Sequence, residues 1–105
     1  MMFKNLGDLQ RMIQSAKEMQ AKLQTELAAM RVEGSSGGGM VQVVLDGQKN
    51  LISLHLAPEV VNPDDCEMLQ DLILAAFNDA AAKVDEQVTA KLGTLGSNFK
   101  IPGLF

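Results

Sequence analysis

Apolar residues recur every three or four positions from Leu6 to Met30. The series is Leu6, Leu9, Ile13, Ala16, Gln20, Leu23, Leu27 and Met30, with Gln20 its single polar member. This 3-4 spacing marks a helix with a narrow apolar seam of the coiled-coil kind. Met12 and Met19 widen the seam on one side, and no Pro interrupts it. The spacing predicts one long helix over residues 5–29. Gln20 reads either as a register marker for a partner helix or as an edge position where the stripe drifts out of contact.

The period then changes to two. Val32 sits between Arg31 and Glu33, and Gly34-Ser35-Ser36-Gly37-Gly38-Gly39 breaks any helix. Val41, Val43 and Leu45 alternate with Gln42, Val44 and Asp46, and Asp46-Gly47 signals a turn. Ile52, Leu54 and Leu56 alternate with Ser53 and His55. Alternation with β-branched residues predicts three antiparallel strands in a meander, over 30–35, 39–46 and 50–57. One face is apolar throughout: Val32, Val41, Val43, Leu45, Ile52, Leu54 and Leu56. A helix is expected to cover it. The other face is mixed, with Met40, Val44, Leu51 and Ala57 among Glu33, Gln42, Ser53 and His55, and is a candidate contact for another subunit.

Pro58 ends the third strand, and Glu59-Val60-Val61 suits one helical turn. Asn62 fits an N-cap and Pro63 a first helical position. Leu69, Leu72, Ile73, Ala76, Phe77, Ala80, Val84 and Val88 then follow helical spacing. This predicts a second long helix over 63–92, ended by Gly93 and Gly96. Residues 93–105 show no period. Their apolar members either dock on the domain or stay disordered.

Composition narrows the function. The chain has 105 residues, a formal net charge of -4, one Cys and one His, and 47% hydrophobic residues with only 4% aromatic. That length suits a single domain. So much aliphatic material in so small a chain suggests that a partner chain completes the core. A single Cys excludes an intrachain disulfide and a Cys-based metal site. No run approaches the ~20 apolar residues of a membrane span, and the start lacks a secretory h-region. A cytoplasmic protein is expected, with no small-molecule substrate, cofactor or metal.

Charge is uneven along the chain. Residues 1–31 carry +2, 32–57 carry -1, 58–86 carry -7 and the tail carries +2. The acids Asp64, Asp65 and Glu67 lie where a helix start favours negative charge, and side chains fanning out there do not converge on a metal. Cys66 among them reads as a plain small residue. His55 has no Cys or second His to join it, so catalysis is not expected. The Gly run lacks the Gly-Lys-Ser/Thr ending of a phosphate loop and opens no helix, so it reads as a hairpin turn. On the first helix, Lys4, Arg11 and Lys22 fall within about 20° of one another, away from the seam. Such a row can track a phosphate backbone. Asp8, Glu18 and Glu26 flank it, and Glu18–Lys22 and Lys22–Glu26 are spaced as i,i+4 ion pairs, so a self-paired solvated face is the competing expectation.

Taken together, the chain resembles the YbaB/EbfC family of bacterial nucleoid-associated proteins. The resemblance rests on Met12, Met19-Gln20 and Leu23-Gln24, on Val32-Glu33-Gly34, and on Gly37-Gly38-Gly39-Met40-Val41. It rests further on Glu67 to Ile73, on Ala75-Ala76-Phe77-Asn78-Asp79-Ala80, and on Phe99-Lys100-Ile101-Pro102. It implies an α+β fold, α-β-β-β-α, with long helices projecting from a dimeric core. It implies a homodimer that binds duplex DNA, sits in the nucleoid and influences gene expression. By region and charge, the candidate DNA contacts are Lys4, Arg11, Lys17, Lys22 and Arg31 on the first helix, and Lys83, Lys91 and Lys100 on or after the second.

With no aromatic platform and few Arg, contacts are expected to be mainly to phosphates, with limited base readout. A different reading is an interaction or scaffold module. Its Met-rich helical surface would bind a protein partner, with DNA incidental.

Overall fold

A computed structural model of the chain describes residues 6–99, with side chains through residue 93. The order is α1 (Leu6–Ala29), β1 (Val32–Ser36), a 3-10 turn (Gly37–Gly39), β2 (Val41–Leu45), β3 (Leu51–Leu56), a 3-10 turn (Pro58–Val60) and α2 (Cys66–Phe99). The strands form one antiparallel sheet in the order β1-β2-β3. This is the α-β-β-β-α arrangement that the two periods predict.

The sheet register aligns Gly34, Val43 and Leu54 across the three strands, and Ser36, Val41 and Leu56 one row further along. Val32, Val41, Val43 and Leu45 point to the face that α2 covers with Ala76, Ala80 and Val84. None of these residues is more than 2% exposed. The small side chains on α2 set the distance. A Cβ on Gly34 would stand 2.4 Å from Ala80 N and 2.6 Å from Ala76 O, so only glycine lets the helix lie this close.

That close approach sits at β1, and α2 lies mainly over β1 and β2. The cover expected for the whole apolar face therefore stops short. Ile52 is 46% exposed and Leu54 43%, while Leu56 is half-buried. A bulge between Val44 and Leu45 further displaces the start of β3, pairing Leu45 with Leu51 instead of Ile52. On the opposite face Glu33, Ser35, Gln42, Ser53 and His55 are exposed.

The bounds of α2 differ from the predicted 63–92 at both ends. Asn62 does not cap the helix. Its Oδ1 accepts the Asp64 N–H at 3.0 Å and its carbonyl accepts the Asp65 N–H at 3.0 Å, which closes a separate turn around Pro63. Asp65 is the cap, its Oδ1 accepting the Met68 N–H at 3.2 Å. At the far end the helix runs through Gly93 and Gly96 to Phe99. A glycine inside a helix costs about 1 kcal/mol, too little to stop one between Ala90, Lys91, Leu92 and Leu95. Against the predicted 30–35, 39–46 and 50–57, β1 starts two residues later and ends one later, while β2 and β3 are shorter at both ends; β2 starts at Val41 because the three glycines before it wind into a turn at positive φ (61°, 68° and 92°). The remainder of the tail, 100–105, lies outside the described residues.

α1 joins this body only at its end. Gly47 N–H donates to Leu27 O at 2.8 Å, and Met30 packs against the core. No residue of α1 is buried. Its seam faces solvent, with Leu6 75%, Met12 55% and Ile13 47% exposed. The chain measures 71 × 21 × 17 Å, with a radius of gyration of 20.3 Å, against about 13 Å for a compact domain of this size.

The turn that anchors α1 is built on Asp46, which is 4% exposed. Its Oδ1 accepts the N–H groups of Gln48 (2.8 Å) and Asn50 (2.9 Å), and Oδ2 accepts Asn50 Nδ2 (3.0 Å). The Asn50 N–H bond, foremost, holds the carboxyl below the usual 3.8. Desolvation opposes it, while the Asn50 amide, the Gln48 N–H and the Arg31 charge add to it. Asp79 is lowered likewise, first by the Ser35 N–H and then by Lys83. A depressed folded-state pKa stabilises the fold above the unfolded value and is lost as pH falls through the folded one. Stability in urea is therefore expected to hold level above about pH 5 and to fall below 3.8. Asp46→Asn should lower the neutral plateau and flatten the acid limb.

Candidate nucleic-acid interface

The described basic residues divide by what they already hold. On α1, Arg11 pairs with Asp8 one turn away. Arg31, just past the helix, donates to Ala28 O (2.9 Å) and Met30 O (2.7 Å), so it caps the last carbonyls of α1. On α2, Lys83 pairs with Asp79 at 3.1 Å, and Lys91 pairs with Glu26 of α1 at 3.6 Å. Among the described residues Lys17 and Lys22 enter no ion pair. Lys4 and Lys100 lie outside the described residues.

The self-paired face expected for α1 does not form around Lys22. Glu18 accepts instead from Gln14 Nε2 at 3.2 Å, and Glu26 turns to Lys91. The acids that share the row with Lys22 are thus engaged elsewhere. Lys22 stands one helical turn outward from the Glu26–Lys91 pair, where α1 leaves the body beside α2. Lys17, on the same exposed helix, lies at the border of the seam. Their ammonium groups are strongly hydrated point charges that suit phosphate oxygens.

A further cation was not singled out from the sequence. Lys49 tips the β2–β3 turn at φ 65°, in the left-handed region, and reaches Asp85 of α2 at 2.8 Å. The only sequence signal was a Lys beside the Asp46-Gly47 turn. The pairs of Arg11, Lys49, Lys83 and Lys91 all keep partial or full access to solvent. Such pairs contribute about 0–1 kcal/mol, so a phosphate can displace the acid at small cost.

Base readout is poorly served. Among the residues with described side chains the aromatic is Phe77, which is half-buried and packs against the core. On the open face of the sheet a hollow of about 260 Å³ is lined by Glu33, Ser35, Gln42, Ser53, His55 and Lys83, a mixed polar set. Among the described residues no group of His, Cys, Asp and Glu could hold a metal ion, and no helix is long and apolar enough to cross a membrane.

Residues 3–99 match the model of the YbaB/EbfC DNA-binding family. A nucleoid-associated protein of Pelotomaculum thermopropionicum is 41% identical over 105 residues, covering 100% of both chains. One of Exiguobacterium sibiricum is 53% identical over 81% of this chain and 80% of its own. Among solved structures, an uncharacterized protein from Helicobacter pylori superimposes with a TM-score of 0.72 at 26% identity, over 90% of this chain and 97% of that one.

Proposed function

Because the chain belongs to the YbaB/EbfC DNA-binding family of nucleoid-associated proteins, we propose that it acts as a homodimer in the bacterial nucleoid. It holds duplex DNA by phosphate contacts from its projecting helices, and through that binding influences gene expression. Lys17 and Lys22 of α1 make the principal contacts, joined by Arg11, Lys49, Lys83 and Lys91 as phosphates displace their acids. Lys4 and Lys100 belong to the same set by charge. Arg31 contributes field more than contact, since its guanidinium holds α1 carbonyls.

The observation that carries this reading is the pair of unpaired lysines on a helix with no buried residue. A net charge of -4 does not prevent it, because the local field decides where an anion docks. Two features support the homodimer. The seam of α1 has no cover in its own chain. The chain also exposes 7723 Å², against about 5,700 Å² for a compact monomer of its mass.

Fluorescence anisotropy with two labelled duplexes of unrelated sequence tests the proposal. Binding of both within a few-fold is expected, since phosphates carry no sequence. A preference of about a thousandfold or more would contradict it and require base readout. Binding of neither would shift the activity to a protein partner on the exposed Met12 and Met19 stripe.

A further inference from the structure

Glu26 stands between two lysines. Along α1, Lys22 lies one turn before it, a spacing that puts Cβ atoms about 5–6 Å apart. Across to α2, Lys91 Nζ sits 3.6 Å from Glu26 Oε2. Among the described ion pairs this is the one that joins the two helices. It lies where they fork. Leu23, Glu26, Leu27 and Met30 of α1 are half-buried, as are Val88 and Lys91 of α2, whereas every α1 position from Leu9 to Lys22 is exposed. Glu26 goes to Lys91 for two reasons. A Lys placed four residues before a Glu is the weaker orientation of the helical pair. The half-buried stem of Lys91 has already lost freedom, so meeting the carboxylate costs it less. The other acid in reach of Lys22, Glu18, accepts from Gln14 Nε2 at 3.2 Å.

We infer that Lys91 is a positioning residue for DNA binding: it draws Glu26 away from Lys22 and so leaves the Lys22 ammonium open to phosphate. This coupling rests on the DNA reading and adds what keeps its principal contact available. Lys91 without its charge would leave Glu26 with Lys22 as the nearest base on its own helix, and the paired ammonium would offer a phosphate little net charge. A phosphate that took Lys91 would do the same. A duplex therefore gains one of the two lysines beside Glu26 and not both, and the exposed Lys22 is the one that the observed pairing leaves free.

Anisotropy titrations with Lys22→Met in three backgrounds test the coupling: the native chain, Lys91→Met, and Lys91→Met with Glu26→Gln. Met keeps the apolar stem of Lys91 and removes its charge. Lys22→Met should weaken duplex binding about fivefold in the native chain and less than about twofold once Lys91→Met has released Glu26. The loss should return to about fivefold when Glu26→Gln removes the acid. Independent contacts would instead give one loss in all three backgrounds. A Lys91→Met that only loosened the root of α1 would not be repaired by Glu26→Gln. Equal losses throughout, no loss in the native chain, or no recovery with Glu26→Gln each overturn the coupling and leave DNA binding in place. A native chain that binds no duplex at about 50 mM salt overturns the DNA reading, and the coupling with it.

Discussion

Gly34→Ala is expected to cost about 3 kcal/mol or more of folding stability, since the added methyl group has the tightest contacts among the described glycines. The added Cβ would meet Ala80 N at 2.4 Å, and Ala76 O and the Ala80 Cβ at 2.6 Å each. Two of these three atoms are α2 backbone, so no rotamer change relieves the clash. The helix would have to lift from β1, which would uncover Val32, Val43, Ala76 and Ala80 and loosen the Ser35–Asp79 bond. Urea unfolding at fixed protein concentration measures the loss. Gly38→Ala is the control. Its Cβ meets nothing within 4 Å, and only its φ of 68° is strained, at about 1–2 kcal/mol. Equal midpoints for Gly34→Ala and the native chain would contradict the packing described here.

The second large effect falls on DNA affinity. Lys17→Glu with Lys22→Glu, four changed charges in a dimer, should weaken duplex binding about a hundredfold or more at moderate salt. Both side chains are exposed on the part of α1 that projects from the body, so stability and subunit mass should not change. Arg11→Glu alone should do less than Lys22→Glu alone, because Arg11 is already offset by Asp8 whereas Lys22 has no acid in contact. Equal losses, or none from the double variant, would remove these lysines from the interface.

Much of the fold was legible because each period reports a local geometry. The 3-4 run gave the α1 bounds, and the alternation in 41–45 and 51–56 gave the strands and their faces except at the start of β3, where the bulge pairs Leu51, expected on the mixed face, with Leu45. Cover was harder to read. Alternation says that Leu54 and Val43 share a face, but whether a helix reaches both depends on where it lies. Gly34 decides that by drawing α2 toward β1. The caps show the same limit. Asn62-Pro63 and Asp65 are both good helix starts by residue type, and only the bond from Asp64 N–H to Asn62 shows that the first closes a turn of its own.

The candidate site was half legible for a related reason. The row containing Arg11 and Lys22 follows from helical angle, but i,i+4 spacing only permits an ion pair. Glu26 had two bases in reach, and the long-range one, Lys91, took it. Lys49 was missed because its place beside Asp85 is a tertiary fact, and nothing in a lone turn lysine points to it.

The salt dependence of duplex binding tests the central claim most directly. Anisotropy titrations of the native protein from about 50 to 200 mM salt should give log K falling linearly with log salt. Four lysines from two α1 helices should contribute about -4 to the slope, and the Lys17→Glu, Lys22→Glu protein should lose that contribution. A slope near zero, or no binding at about 50 mM where phosphate contacts are strongest, would contradict a phosphate-bound role for α1.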